Sequence, residues 1–474
     1  MTGFDTAVHA LYLLAAVCFV LGLHRMTSPA TARSGNQLSA TGMLGAVLTT
    51  LVVLVHDGTT STAGAAVLAV GLLAGGVTGL VTSRRVKMTA MPQLVSLFNA
   101  VGGGAAALIA YSDAIAHTGS VPLAQQPIST TLTTVLDLFI GGITFSGSLV
   151  AGGKLAGVIS GRPLSFAGGR ALHVVLAVVA LGAGAAYTSG YGGVTLLCLL
   201  TTAALGLGVL ATLQIGGADM PVVISLLNAF TGTAVAMAGF VIDSTPLIIG
   251  GALVGAAGGI LTQLMAKAMN RSLLSIVAGG FGTPDDHAGS PAAGTSGPVR
   301  EVTVDDADLQ LAYASKVVIV PGYGLAAAQG QHELVELAQA LTDHGVDVSY
   351  GIHPVAGRMP GHMNVLLAEA NAPYTQLKDL DEINPEFAST DVVLVVGAND
   401  VTNPAARRLG NAVSGMPILN VDKAKSVIVI KRSLGHGYAG IDNELYTGPK
   451  TAMLFGDAKA VLSQLLVGLH SYVS

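Results

Sequence analysis

The sequence runs to 474 residues, 51% hydrophobic and only 10% charged, with 62 glycines and a mean hydropathy of +0.66, a composition that excludes an ordinary soluble enzyme and puts most of the chain in a lipid bilayer. A net charge of −5 and a pI near 6.2 give no basis for a nucleic-acid partner. Cys18 and Cys198 both lie in apolar segments and read as inert thiols rather than a disulfide.

Apolar runs of spanning length recur from the N-terminus, at 5–24, 38–56, 61–81, 93–112, 131–151, 170–188, 192–213, 221–242 and 245–268. Each is about 20 residues, enough for roughly 30 Å of hydrocarbon at about 1.5 Å per residue. The first run lacks a basic flank and a cleavage site, so it reads as a retained helix rather than a signal peptide. Arg25, Arg33, Arg84, Arg85, Lys87, Lys154, Arg162, Arg170, Lys267 and Arg271 all fall after odd-numbered spans or just before the next. The opposite loops hold Asp57, Asp113, His117 and Asp243 and no Lys or Arg. By the positive-inside rule the N-terminus is outside and the C-terminal part cytoplasmic.

Within this half a motif repeats. Met91-Pro92 leads through Ser96 to Asn99, and Met220-Pro221 leads through Ser225 to Asn228, each pair starting a span with proline at its first turn. Paired spans with polar groups at equal depth suit a midplane pathway, or a helix interface glued by two asparagines. Asp219 stands at the mouth of the second copy. Ser146 and Ser148 share the fifth span with Asp137, a carboxylate expected at a span end or facing the bundle interior.

The expected domains are a membrane bundle over 1–275, a Gly/Pro/Ser-rich linker over 276–300, and an α/β domain over 301–474. Strands are predicted at Lys316 to Val320, Asp347 to Ile352, Asp391 to Val396, Pro417 to Val421, Ser426 to Ile430 and Thr451 to Phe455, with helical patterns between most of them. That alternation predicts a soluble, Rossmann-like, doubly wound parallel sheet. After the first strand come Gly322, Tyr323, Gly324 and Ala327 in a G-x-G-x-x-A pattern. Gly322 suits a tight turn, Gly324 a close approach to a pyrophosphate, and Ala327 close packing of helix on strand. The second strand runs into His353 with no carboxylate to take a ribose 2′-hydroxyl, whereas Lys431, Arg432 and Ser433 follow the fifth. Two cations and a hydroxyl suit a 2′-phosphate, which favours NADP over NAD; a solvated basic loop is the plain alternative. Arg358 in a Gly/Pro-rich turn suits a second phosphate clamp. Asp400 suits a ribose or amide, or a cap for a helix near Asn403-Pro404. Tyr438 lies in a glycine-rich loop able to cover a cofactor. No Ser/His/Asp triad or metal-spaced cluster is apparent, so any hydride chemistry belongs to the cofactors.

These motifs together resemble the beta subunit of the proton-translocating nicotinamide nucleotide transhydrogenases over nearly the whole chain. The most specific segments are Met91 to Asn99, Asp219 to Asn228, Asn270 to Gly282, Gly322 to Gln329, His353 to His362, Gly397 to Asp400, and Lys431 to Ser433 with Gly437 to Gly440. The resemblance implies an enzyme of the Re/Si-specific type. NADP(H) would sit on this chain, NAD(H) on a partner alpha subunit with further transmembrane helices, and the whole complex would form a dimer in a bacterial inner membrane. It places Gly322, Gly324 and Ala327 at the pyrophosphate, Arg358 nearby, Lys431, Arg432 and Ser433 at the 2′-phosphate, Asp400 near the cofactor and Tyr438 in a closing loop. Asn228, Asp219 and Arg271 match channel or interface positions; at the linker junction Arg271 suits a relay or a snorkelling side chain.

Asn99 departs from the family pattern, in which a histidine stands at that position. Asparagine cannot titrate, so the translocated proton is expected to ride on a group from partner helices, with Asn99 and Asn228 ordering water. A different class of reading is a nucleotide-gated transporter whose cytoplasmic domain only senses the dinucleotide.

Overall fold

A computed structural model describes residues 3–58, 60–117, 122–161, 163–164, 166, 168–216, 219–269, 273, 298–358, 361–409, 411, 413–437 and 439–473. Of the expected positions, Arg162, Arg271 and Tyr438 lie outside the described residues, as do residues 276–297 of the expected linker. The chain forms two compact units, Met1–Gln214 with Val223–Thr262, and Ile215–Val222 with Gln263–Ser474.

Among the described residues, nine helices are long and apolar enough to cross a membrane. They are α1 (Gly3–Arg25), α2 (Pro29–Asp57), α3 (Thr62–Arg85), α4 (Met91–Ala116), α5 (Ile128–Leu155), α6 (Gly169–Thr188), α7 (Val194–Gln214), α8 (Met220–Val241) and α9 (Thr245–Ala268). The second begins well before the expected residue 38. Ser28 sits at its N-cap with Pro29 in the first turn, so Arg33 is helical rather than in a loop.

Small residues set how closely α4 and α5 approach. A Cβ on Gly103 would stand 3.1 Å from the Gly141 carbonyl oxygen, and one on Gly141 would stand 3.1 Å from the Ala107 Cβ. Backbones in such contact pack tightly without a hydrophobic driving force, which lipid cannot supply.

In the other unit the strands β1 (Lys316–Pro321), β2 (Asp347–Ile352), β3 (Leu377–Asp379), β4 (Val392–Val396), β5 (Ser426–Lys431) and β6 (Thr451–Phe455) form one sheet. Every pairing is parallel, in the order β3-β2-β1-β4-β5-β6. Helices on both faces account for the near-continuous burial of the central strands, which read as Val/Ile runs. The flanking helices include α10 (Val304–Ala312), α11 (Tyr323–Ala328), α12 (Gln331–Asp343), α13 (His362–Glu369) and α14 (Ala458–Val473).

The strand set differs from the expected one at two places. Residues 417–421 are not a strand. Their backbone is taken by other partners: the His353 ring meets the Pro417 carbonyl at 2.7 Å, Asn384 Nδ2 donates to the Ile418 carbonyl at 3.0 Å, and the Leu419 N–H donates to Val401 at 2.9 Å. The sixth strand is instead β3, a three-residue edge piece of sequence Leu-Lys-Asp.

Candidate functional site

The sheet reverses direction of growth between β1 and β4, so the crevice beyond their carboxyl ends is where ligands of this architecture bind. At that point the turn after β1 meets the turn after β4. The Gly322 N–H donates to Val396 at 2.9 Å and the Gly324 N–H to Gly397 at 2.9 Å. A Cβ on Gly324 would lie 2.7 Å from the Gly397 Cα, and one on Gly322 would lie 2.5 Å from the Ala398 nitrogen. Both glycines are therefore required by contact between the two turns, whatever ligand they face. Gly397 adopts a φ of 68°, which suits a residue without a Cβ.

Helix α11 starts at this turn with Gly322 as N-cap, and ends after six residues where Gln329 takes a φ of 55°. Ala327 is exposed, so the expected close packing of helix on strand falls instead to the buried Leu325 and Ala326. Tyr323 is half-buried and carries the Arg358 guanidinium over its ring, 4.4 Å from the centroid. The Arg358 N–H donates to His362 Nδ1 at 3.0 Å, and the Tyr323 and His362 rings lie 6.3 Å apart. Burial, helped by the Arg358 charge, pushes the His362 pKa down and keeps that ring neutral. The fingerprint turn and the cationic turn after β2 are thus one packed cluster.

Where an NAD site would place a carboxylate, β2 ends on His353. Its Nδ1 accepts the Val355 N–H at 3.2 Å and its Nε2 donates to Pro417 at 2.7 Å. Burial pushes its pKa down to about 4, although the Pro417 carbonyl opposes this. The ring is a neutral structural pin.

Past β4 and β5 lies a polar network. The Asn399 amide turns its oxygen to Lys431 Nζ (3.2 Å) and the Gly437 N–H (2.6 Å), and its nitrogen to the Tyr446 hydroxyl (3.0 Å). Asp400 accepts from the Ala439 N–H at 3.1 Å. Asn403, not Asp400, caps the following 3₁₀ turn by accepting from the Ala405 N–H at 3.1 Å. Lys431 donates to the Gly435 carbonyl and stands 4.8 Å from the Tyr446 ring centre. Burial pushes the Lys431 pKa down while Asp400 opposes it. Arg432 and Ser433 are exposed at the start of this loop, with Ser433 Oγ accepting from the Gly435 N–H at 3.4 Å.

These groups fit a phosphate-rich dinucleotide: Arg358, Lys431 and Arg432 supply cations and Ser433 a hydroxyl, all at or just beyond the carboxyl ends of parallel strands, and β2 ends without a carboxylate. Sequence reasoning missed Asn399, Asn443 and Tyr446, which hold the network. The Asn443 amide donates to the Asn399 carbonyl at 2.9 Å and its oxygen accepts from the Leu445 N–H at 3.0 Å. In sequence it looks like any turn asparagine.

In the membrane unit the repeat motif becomes a seam. Asn99 is buried and donates to the Ile224 carbonyl on α8 at 3.2 Å; its own carbonyl accepts from Thr231 at 3.2 Å. Ser96 donates to the Ser148 carbonyl on α5 at 2.7 Å, which joins α4, α5 and α8. Ser146 points elsewhere, donating to the Leu205 carbonyl on α7 at 2.8 Å. Asn228 is half-buried on α8. Asp219 stands in the turn before that helix, where its N–H donates to Gly216 at 3.1 Å. Among the described residues no group of acidic, His or Cys side chains is arranged to hold a metal.

Comparison with known proteins agrees with this architecture. A protein-family model described as NAD(P) transhydrogenase beta subunit matches residues 8–467. Two curated relatives, both named NAD(P) transhydrogenase subunit beta, come from Rhodospirillum rubrum and from a designated strain of that organism. Each is 44% identical over 480 aligned positions, which span 97% of this chain and 98% of the relative.

Proposed function

The chain belongs to the NAD(P) transhydrogenase beta-subunit family, an oxidoreductase and integral membrane protein, and on that premise we propose that it holds NADP(H) while an alpha subunit presents NAD(H). Hydride passes directly between the two nicotinamides, in the Re/Si-specific manner, and the transfer is coupled to proton passage through the membrane helices. The cofactors supply the hydride chemistry. In the C-terminal domain, taken as 301–474 after a linker over 276–300, this chain's residues bind and orient. The turn of Gly322, Tyr323 and Gly324 faces the pyrophosphate, with Ala327 beside it and Arg358 as a second clamp. Lys431, Arg432 and Ser433 take the 2′-phosphate. Asp400 fixes the loop that carries Tyr438.

The observation that supports this most is the set of cations Arg358, Lys431 and Arg432 beside the β1–β4 crevice, opposite a β2 end that offers no carboxylate. In the membrane domain, taken as 1–275, the pathway follows Asn99, Asn228, Ser146, Ser148 and Asp219, with Arg271 joining it to the linker. The N-terminus faces outside and the nucleotide domain the cytoplasm of a bacterial inner membrane, in a dimer of the whole complex. Coupling requires that NADP+ and NADPH bind an open and a closed arrangement with different affinity.

Membranes holding both subunits should reduce an acetylpyridine analogue of NAD+ at the expense of NADPH and acidify or alkalinise the vesicle lumen as they do so. Nucleotide binding without turnover would support a sensor instead.

A further inference from the structure

Asp137 is a carboxylate within the membrane helices. It lies about 13 Å along α5 from its start, a third of the way into the helix. Its side chain has 0% exposure, and neither carboxylate oxygen has a hydrogen-bond partner among the described residues. An intramembrane carboxylate with no structural partner is costly and marks an ion or proton path. It is enclosed by this chain's own helices.

Two features place it on a route. Toward one end of the bundle lies a cavity of about 260 Å³, lined in part by His117, Gln126, Tyr187 and Leu197. Tyr187 and Leu197, which line it, belong to the same packed cluster as Leu138, the chain neighbour of Asp137. Toward the other end, Asp137, Gly141, Thr144 and Ser148 recur at helical spacing on one face of α5. That face meets α4: Gly141 and Thr144 touch Gly103, and Ser148 takes the Ser96 hydroxyl. The distance from Asp137 to Ser148 is about 16 Å of helix rise. The Ser148 hydroxyl has no partner among the described residues, and Asn99 stands on the same turn system of α4.

The other titratable groups on the helices packed around α5 have different neighbours or depths. On α4, Tyr111 is bonded to Cys198 of α7 at 2.9 Å and Asp113 faces His117 at 3.4 Å. On α6, His173 sits in the first turns and Tyr187 lines the cavity, while Lys154 is in the last turn of α5 itself.

We propose that Asp137 is the group on this chain that takes up and releases the proton crossing the membrane half. This rests on the coupled reading above, and replaces the expectation that only a partner helix supplies a titratable group. The step is balanced by water alone: an O–H bond of the carboxyl breaks and its proton passes to water on one side, and the carboxylate takes a proton from water on the other.

The test uses the complete complex of this chain and its alpha partner in proteoliposomes, with hydride transfer to the acetylpyridine analogue and dye-reported proton movement read together. Asp137→Asn should leave NADP+ binding unchanged and lower proton movement at least tenfold, and Asp137→Glu should restore it. Proton movement at the wild-type rate in Asp137→Asn overturns the proposal. A wild-type complex that transfers hydride and moves no protons sinks the coupled reading itself. In that case, or if the asparagine variant does not assemble, infrared spectra of wild type and Asp137→Glu between acid and alkaline buffer decide. A protonated-carboxyl band that titrates and shifts with the glutamate upholds the assignment; its absence overturns it.

Discussion

Asp400, just beyond the carboxyl end of β4, accepts a hydrogen bond from the Ala439 N–H at 3.1 Å, which ties the loop after β5 to the end of its neighbouring strand. Asn399 does the same one residue earlier, through the Gly437 N–H at 2.6 Å. The loop that begins with Lys431, Arg432 and Ser433 is therefore held at two backbone amides, those of Gly437 and Ala439.

A loop held this way should release nucleotide slowly, and loss of one tie should speed release. Asp400→Ala is expected to raise the NADP+ dissociation rate about tenfold, the equivalent of one charge-assisted hydrogen bond of about 1.5 kcal/mol. Asp400→Asn keeps an acceptor for Ala439 and should fall between. Stopped-flow nucleotide fluorescence measures both; an unchanged rate in the alanine variant would mean that the tie does not restrain the loop.

Contact between the two glycine turns makes a prediction that needs no ligand. In Gly324→Ala the new methyl would meet Gly397 at 2.7 Å from its Cα, backbone against backbone. The expected loss is about 1–3 kcal/mol of stability, read by thermal denaturation with no nucleotide added. Ala327→Ser, at an exposed position of the same fingerprint, should shift stability by no more than about 0.5 kcal/mol.

Asp308, buried between α10 and α14, gives the domain a pH dependence of unusual sign. Its two oxygens have no hydrogen-bond partner among the described residues, and Gly468 of α14 leaves room for its carboxylate. Burial, with some repulsion from Asp305, raises its pKa to about 7. In an unfolded chain the group releases its proton near about pH 4. The folded state thus binds more protons between those values, so stability falls as pH rises through that window and levels off above about 7. Asp308→Asn should melt like the wild type at about pH 4 and be more stable by up to about 4 kcal/mol at about pH 8. A wild-type profile that rises with pH across the window would show that the carboxylate finds compensation in the native state.

The spans and most of the strands were legible in sequence because length and apolar runs set them directly. β3 was not, because Leu377-Lys378-Asp379 is too short and too polar to show a period, and pairs with β2 only through its backbone. Residues 417–421 misled for the opposite reason. Ile418, Leu419 and Val421 are apolar and buried, yet His353 and Asn384 take up carbonyls of this segment, an arrangement that depends on residues over thirty positions away. The cations of the nucleotide site could be read from the sequence, since a strand end followed by Lys-Arg-Ser is a local pattern. The network that orients them could not, since Asn399, Asn443 and Tyr446 meet only in the fold. Asp137 was visible as a residue, but its full enclosure follows from the packing of α4, α6 and α7 around α5.

The central claim is that this chain's crevice is built for the 2′-phosphate of NADP(H), and calorimetric titration of the whole purified chain with NADP+ and with NAD+ tests it most directly. The account predicts that NADP+ binds at least about tenfold more tightly, and that Arg432→Ala removes most of that preference while leaving NAD+ binding unchanged, as expected when one charge-assisted contact of about 1.5–3 kcal/mol is lost. Equal affinity for the two nucleotides, or a preference that survives Arg432→Ala undiminished, would contradict it.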